Sequence, residues 1–391
     1  MIRNKFMLAS LISCVTWLVN AQDIKIVHGP YIQALSQHES TIIWVTDKDA
    51  VSWVEIADDG KEHFYARERE KHLELIHGKR NTGTLHRVRV TGLSPGTTYR
   101  YRVVSKEIKV HEGYRVLYGS VVSTDVFKKA PLKFTTLDTQ KQSISFRIVN
   151  DIHNKSQSLH DLLEDVKPAN TDFVVFNGDM ISTVDSQRTI FNGFMDVSVK
   201  LFASEVPIFY VRGNHELRGA YSNQLPGYFP AVSGKPYYTF RQGPVFFVVL
   251  DTGEDKPDPD IAYADLNRFD AYRTEQLAWL NEVVASDEFI HAPYRVVIMH
   301  IPPIGSDWHG ARDLQQKWLP VLNESKIDVL FSAHLHSYKF FAPENNPEIK
   351  FPVIVNDDET YLDIKADMNE MLIMQKDKKR VIINKHQIKR P

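Results

Sequence analysis

Between about Asp23 and Leu137 apolar and polar residues alternate in short runs, at positions 41–45 (Thr-Ile-Ile-Trp-Val), 52–56 (Ser-Trp-Val-Glu-Ile), 86–90 (His-Arg-Val-Arg-Val) and 99–104 (Tyr-Arg-Tyr-Arg-Val-Val). A period of two puts every second side chain on one face, which is how a strand with one buried face is written. Turn residues separate the runs and few helical patterns interrupt them, so this part of the chain predicts an all-β sandwich.

A polar run, Asp138-Thr139-Gln140-Lys141-Gln142, ends that pattern, and we read it as the boundary between a domain over residues 22–138 and a second over 143–391. Beyond it the apolar runs become continuous, at 144–149, 173–176, 207–210, 245–250, 295–299 and 328–331. Unbroken Val/Ile/Phe runs of this length suit strands covered on both faces. Helical stretches fit between them, over 159–166 and over 275–284, the latter with Thr274 as its expected N-cap. Alternating strands and helices imply a layered α/β domain. The segment 253–270, rich in Asp, Pro and Tyr, reads as a long loop able to shape a cleft, while 353–355 and 381–383 read as added terminal strands.

The residues just past the apolar runs change the picture from fold to chemistry. Run 144–149 leads to Asp151-Ile152-His153; run 173–176 leads to Gly178-Asp179; run 207–210 leads to Gly213-Asn214-His215-Glu216; run 295–299 leads to His300; run 328–331 leads to His334-Leu335-His336. Open α/β sheets hold their ligands beyond the carboxyl ends of the strands, so five strand ends converge on one edge. Any one of these pairs alone is an ordinary turn or surface pair; together they bury a ring of polar groups, which costs several kcal/mol per group without a metal or hydrogen bonds.

The donor types narrow the metal. Cys14 is the only cysteine, so no thiolate site or cluster is available beyond it, and imidazole, carboxylate and amide oxygen suit Fe, Zn or Mn. Seven or eight such groups exceed one four-coordinate ion, which makes two divalent or trivalent ions the economical reading. Paired cations clamp the attacking and leaving oxygens of a phosphoryl displacement.

Asp151-x-His153, Gly178-Asp179, Gly213-Asn214-His215-Glu216, His300 and His334-x-His336 resemble, in order, the five-block signature of the calcineurin-like metallophosphoesterases. Segment 90–99, Val-Thr-Gly-Leu-Ser-Pro-Gly-Thr-Thr-Tyr, is similar to the turn and tyrosine corner of fibronectin type III domains, with Tyr99 in a structural role. A fibronectin-like domain ahead of such a signature resembles the purple acid phosphatase-like branch, and implies a metallophosphatase-type β-sandwich flanked by helices for residues 143–391. The resemblance implies that Asp151, His153, Asp179 and His336 hold one ion, and that Asp179, Asn214, His300 and His334 hold the other. It further implies that His215 protonates the leaving oxygen and that Glu216 tunes or orients its imidazole. Purple acid phosphatases proper carry a tyrosine three residues after the Gly-Asp aspartate; this chain has Ser182 there, with His153 in its place as ligand, which favours the general phosphoesterase site over a ferric-tyrosinate centre. Asn154, Arg212 and His309 adjoin the blocks and are candidate phosphate contacts, while Tyr338 reads as packing.

The reaction expected is hydrolysis of a small phosphate monoester by a metal-bridging hydroxide attacking in line. The alternatives are a phosphodiesterase or nucleotidase, and a surface binding protein that uses the fibronectin-like domain for adhesion. Composition leaves these standing: hydrophobic residues are 43%, charged residues 25% and formal net charge is -2, values of an ordinary folded chain with no basic field to attract a nucleic acid scaffold. Arg3 and Lys5 ahead of an apolar run over 6–19, then Val19-Asn20-Ala21, read as a bacterial-type export signal over residues 1–21. The run falls short of the roughly 20 residues a membrane span needs. Leu11-Ile12-Ser13-Cys14 resembles a lipobox, so lipid anchoring through Cys14 is the other reading; the mature chain is otherwise expected in the periplasm or medium, with no transmembrane segment.

Overall fold

The structure, a computed structural model, describes residues 22–390; the expected leader, with Cys14, lies outside them. The alternating region folds into β1 (Ile26–Gln33), β2 (Glu39–Thr46), β3 (Ala50–Asp58), β4 (Lys71–Leu73), a short hairpin of β5 (Leu75–Ile76) and β6 (Lys79–Arg80), β7 (Leu85–Thr91), β8 (Thr98–Glu112), β9 (Arg115–Ser123) and β10 (Leu132–Thr135). β1, β2 and β7 form one sheet; β10, β8, β3 and β4 form the other, with β9 also paired to β8. All four alternating runs fall within these strands, and their buried members, Trp44, Val54, Val88 and Tyr101, share one apolar cluster. At the corner before β8, the Ser94 amide donates to Tyr99 Oη at 2.9 Å, so the tyrosine holds the turn.

The rest of the chain builds two six-stranded sheets. In the first, β13 (Ile208–Val211), β12 (Phe173–Asn177) and β11 (Ser143–Val149) run parallel, and β20 (Tyr361–Asp367), β21 (Glu370–Lys376) and β22 (Ile382–Lys389) continue it antiparallel. In the second, β14 (Tyr238–Gln242) pairs antiparallel with β15 (Val245–Leu250); β16 (Tyr294–Met299), β17 (Val329–Ser332) and β19 (Val353–Val355) run parallel to β15, and β18 (Lys339–Phe341) closes the edge. The sheets face each other: Phe146 of β11 meets Phe247 of β15 edge to face at 5.2 Å, and Phe209 of β13 stacks on Phe240 of β14 at 3.8 Å.

Both faces of the central strands are buried, as continuous apolar runs require. Val245, Phe247 and Val249 point between the sheets, whereas Phe246, Val248 and Leu250 point to an outer layer with the helices Phe269–Val284, His309–Lys317 and Leu319–Glu324. A matching outer layer on the first sheet carries the helix Ser156–Leu163 and the helical run from Gln187 to Ala203. The result is a β-sandwich with helices on both outer faces, a mixed-sheet α/β arrangement of the kind the strand–helix alternation implied. Among the described residues no helix is long and apolar enough to cross a membrane.

One helix start differs from the sequence expectation. The helix predicted from Glu275 begins at Phe269, and Thr274 lies inside it, its hydroxyl donating to Asp270 O at 2.9 Å. The capping acceptor comes from the long loop: Asp258 accepts from the amides of Phe269 and Asp270 at 2.6 and 3.3 Å. A cap eleven residues away leaves no local signature of the S/T-x-x-E kind.

The N-terminal sheets lie directly on the sandwich. Tyr31 Oη donates to Tyr228 O at 3.1 Å, Tyr101 Oη to Ser204 O at 2.7 Å, and the Asp138 amide to Gln242 Oε1 at 2.7 Å. Within the front unit, His86 is buried beside Trp44 with its Nε2 2.8 Å from Thr46 Oγ1. Burial holds this imidazole down to about 3, below the about 6.5 of an unfolded histidine. Unfolding therefore takes up a proton between those values. The stabilisation is complete above about pH 6.5 and declines by about 1.4 kcal/mol per unit as pH falls toward the folded value. His86→Gln, which keeps a partner for Thr46, is expected to flatten the loss of unfolding free energy between about pH 6 and 4 by roughly one proton. Urea melts across that range measure it, and an unchanged slope would show that His86 is not held neutral.

Candidate metal centre

The carboxyl ends of β11, β12 and β13 in one sheet, and of β16 and β17 in the other, open onto a common edge. The register puts Val149 beside Phe176 and Asn177 beside Val211, so Asp151, Asp179 and Asn214 leave their sheet at adjacent points. Across the sandwich Ile298 pairs with Phe331, which brings His300 and His334 to the same level.

The loops beyond these strand ends are locked in unusual backbone. Asp151, His153, Asn154, Asp179, His334 and His336 all have φ between +46° and +72°, a left-handed region that costs a non-glycine residue energy and recurs where surrounding structure imposes geometry. The imposing contacts are visible. The Asp151 amide donates to Gly178 O at 3.0 Å, that of His153 to Asp179 O at 3.0 Å, and that of Asn154 to Met180 O at 3.1 Å. Gly178 itself sits at φ +84°, where an added Cβ would strike the His300 ring; the first half of the Gly-Asp block is therefore a spacing requirement.

Within this frame the ligand-type atoms converge. His300 Nε2 lies 3.1 Å from Asp179 Oδ2. His153 Nε2 and His336 Nε2 are 3.3 Å apart, and Asp151 Oδ1 is 3.9 Å from the first and 3.5 Å from the second. One end of the Asn214 amide lies 3.1 Å from His334 Nδ1, 3.2 Å from His300 Nε2 and 3.3 Å from Asp179 Oδ2. Metal-ligand spacing thus groups Asp151 with His153 and His336, and Asp179 with His300 and His334; a third group, His153, Asp179 and His215, overlaps both. All seven residues singled out as ligands from the sequence are in the cluster, with Asp179 common to two of the groups.

The ring orientations have identifiable supports. His300 Nδ1 is 2.8 Å from Asn177 O, which leaves Nε2 facing Asp179, and Asn177 Nδ2 donates to Met299 O at 3.2 Å across the sandwich. Hydrogen bonds of this type set the tautomer of a metal-binding imidazole. Asp151 Oδ2 accepts from Asn150 Nδ2 at 2.8 Å and from the His334 amide at 3.0 Å.

Two features fit a cation at this position. Asp151 Oδ1 is buried and has no hydrogen-bond donor, while three imidazoles stand within 4.0 Å of it. The Asn214 amide, if its oxygen points inward as a ligand would, faces His300 Nε2, His334 Nδ1 and Asp179 Oδ2, none of which donates to it. A cation among those atoms satisfies both, and a set of imidazole, carboxylate and amide donors is one that Fe, Zn or Mn accepts.

The charges within the cluster act on one another. Burial, then the Asp179 carboxylate, push Asp151 above the ordinary carboxylate value, although His300 opposes them. Burial disfavours charge on Asp179 too, but the adjacent His300 outweighs it and keeps this carboxyl ionised well below its usual value. Burial alone would lower His300; Asp179 beside it raises the imidazole to about 10, so ligation through Nε2 requires a cation to displace that proton. Burial lowers His153 to about 4 and His334 to about 3, which leaves both neutral with free lone pairs.

The second-rank residues divide. His215 stands beside the cluster, its Nε2 3.9 Å from Asp179 Oδ2 and its Nδ1 2.9 Å from Ser182 O. The position where a purple-type tyrosine was absent therefore serves through its carbonyl. Glu216, expected to orient the His215 ring, instead accepts from the amides of Asp179 at 2.8 Å, Met180 at 2.7 Å and Gly213 at 2.9 Å. It ties the β12 loop to the β13 loop from beneath, because its chain position directs it inward, and burial together with the Asp179 charge raises it to about 7.

Of the candidate phosphate contacts, Asn154 borders the cluster, and its Oδ1 accepts from the Ser182 amide at 2.7 Å. Arg212 points elsewhere, paired with Asp251 at 2.6 Å, since successive residues of an extended segment alternate faces. His309 is engaged 2.8 Å from Asp270 Oδ1, where it anchors one helix start to another. Tyr338 packs with His386, its Oη 2.6 Å from Nε2.

Arg218 was not foreseen. One Nη1 lies 3.0 Å from His215 Nε2, and Nη2 is 2.8 Å from the outer end of the Asn214 amide. Buried Glu254 holds the guanidinium with two bonds of 2.9 Å, and Tyr263 Oη donates to Glu254 at 3.0 Å. The only sequence signal was an arginine four residues past Asn214, just after the single turn His215–Leu217.

Comparison with known proteins places this geometry. Residues 144–338 match the family model for calcineurin-like phosphoesterases, and residues 29–116 match that for the purple acid phosphatase N-terminal domain. Three relatives from Arabidopsis thaliana are similar at low identity. Purple acid phosphatase 15 is 26% identical over 66% of this chain and 49% of its own length; purple acid phosphatase 21 is 23% identical over 68% and 55%; purple acid phosphatase 23 is 24% identical over 66% and 58%. The chain spans about half the length of these curated relatives. With the ordered blocks on one sandwich edge and a sheet-rich unit in front, the chain belongs to the calcineurin-like phosphoesterase family, in the branch that carries a purple acid phosphatase N-terminal domain.

Proposed function

We propose that this protein is an exported, two-metal phosphoric ester hydrolase that acts on phosphate monoesters. The observation that carries the reading is the buried, donorless Asp151 Oδ1 among three imidazoles, at an edge where six further ligand-type side chains converge. Asp151, His153, Asp179 and His336 would hold one ion; Asp179, Asn214, His300 and His334 would hold the other, with Asp179 shared. Bound there, Fe, Zn or Mn supplies Lewis acidity that neutralises phosphoryl oxygens and makes water a usable nucleophile near neutral pH.

The chain's own groups do the rest. His215, with Nδ1 held toward Ser182 O and Nε2 beside the cluster and 3.0 Å from Arg218 Nη1, would as an imidazolium supply the proton that the departing alkoxide needs. Arg218 is fixed by Glu254 at the same spot and offers planar N–H groups, a geometry suited to phosphate oxygens. Glu216 holds the two loops that carry Asp179 and Asn214 at a fixed separation. Export rests on the leader pattern over residues 1–21, and monoester preference on the likeness to phosphatases.

Asp179→Ala is expected to lower metal content from two ions per chain to fewer than one and to abolish hydrolysis of 4-nitrophenyl phosphate, by elemental analysis and initial rates. His215→Ala should retain both ions while kcat falls by roughly 10²–10⁴-fold, the range of a lost general acid. A single ion per chain in that variant would make His215 a ligand, as its spacing to His153 and Asp179 also permits. Arg218→Ala should lower kcat/KM by about 10–100-fold, the worth of a charged hydrogen bond. Equal activity on bis(4-nitrophenyl) phosphate and the monoester would instead favour the diesterase reading.

A further inference from the structure

Beyond His334 the rim of the centre is organised around one aromatic residue that no packing role explains. Trp308 is 52% exposed and belongs to none of the apolar clusters. Its ring stands perpendicular to that of His334 with centroids 6.2 Å apart, and Lys256 Nζ lies 5.7 Å from the same indole. An indole so placed is large, rigid and half open beside a site for anions.

Its position is constructed. Trp308 is the residue before the helix His309–Lys317, and that helix is pulled onto the long loop at Gly310. The Gly310 amide donates to Asp255 O at 2.8 Å, and a Cβ there would come within 2.8 Å of Glu254 O. On the other side His309 is tied to Asp270. The same loop holds Arg218 through Glu254 and positions Asp255 with Oδ2 3.9 Å from His334 Nε2. One loop thus braces two side chains of the rim, the apolar Trp308 through the Gly310 contact and the cationic Arg218 through Glu254.

We propose that Trp308 is the specificity platform of the centre: it stacks the ester group of the substrate while the metals and Arg218 hold the phosphate, so the preferred substrates are phosphate esters of aromatic alcohols. This rests on the two-metal reading above. An indole offers stacking to any π-face, with strength set by ring overlap, while an alicyclic group of the same size gains only apolar contact. Lys256, beside the indole and also 3.7 Å from Asp255 Oδ1, adds a cation to the same rim.

Binding separates this inference from turnover. Phenylphosphonate and cyclohexylphosphonate, which match in size and cannot be hydrolysed as esters, are titrated by calorimetry into metal-loaded wild type, Trp308→Ala and Trp308→Phe, each checked for two ions per chain. Wild type is expected to bind the phenyl compound about tenfold more tightly. Trp308→Ala should bring the ratio close to one, and Trp308→Phe should restore part of it. Equal affinity of wild type for both compounds, an unchanged ratio in Trp308→Ala, or no binding of either compound overturns the proposal. A phenyl preference in wild type that disappears in Trp308→Ala, with no ester hydrolysed, would leave the platform standing and remove the hydrolase reading.

Discussion

Two carboxylates, Asp151 and Asp179, are buried within 4.0 Å of the same His300 nitrogen, and their mutual repulsion in a water-poor site is the constraint the rest of the structure answers. Burial and the neighbouring charge push Asp151 up, while His300 keeps Asp179 ionised. A third buried carboxylate, Glu216, sits directly beneath and is raised to about 7 by burial and by Asp179. Such crowding of negative charge is tolerable only with compensating cations and oriented amides. The structure provides amides from five backbone positions, those of Asp179, Met180 and Gly213 to Glu216, of His215 to Asp179 and of His334 to Asp151.

Those amide bonds also explain how two sheets become one site. Asn177 reaches from the first sheet to Met299 of the second, its carbonyl meets His300, and the His334 amide returns to Asp151. Ligand geometry is consequently set by sheet-to-sheet packing through Phe146, Phe173 and Phe247 as much as by the loops themselves. The left-handed backbone at Asp151, Asp179, His334 and His336 shows where that packing forces the chain past its easy conformations.

The strands and the ligand cluster were legible because each is written locally: an apolar run announces a buried strand, and the residues just after it must emerge at its carboxyl end. Residues whose role is set across the fold were not. Asp258 caps a helix from eleven positions away, and Arg218 reaches its site through Glu254, 36 positions along the chain. Arg212 shows the converse. It is adjacent in sequence to Gly213-Asn214, yet alternation along an extended segment turns it to Asp251. Glu216, read as a tuner of its neighbour His215, obeys the same rule and faces inward to the backbone instead. Adjacency to a motif thus locates a residue without assigning its face.

The first sheet ends at β22, whose free side offers a row of unpaired amides and carbonyls. Such a border is a template on which another chain can add a strand, and natural sheets discourage this with charge. In β22 the stretch from Lys385 to Lys389 carries two lysines and one inward-packing apolar residue, Ile388, whereas Ile382 and Ile383 at its start are about half exposed. At the opposite end residues of β13 line a cavity together with Gln33–Leu35 of the front unit and the segment from Leu225 to Pro236. The lysine-bearing end of β22 discourages strand addition while its Ile382–Ile383 end does not, so any further strand joined to the sheet that aligns Asp151, Asp179 and Asn214 would enter beside those two isoleucines.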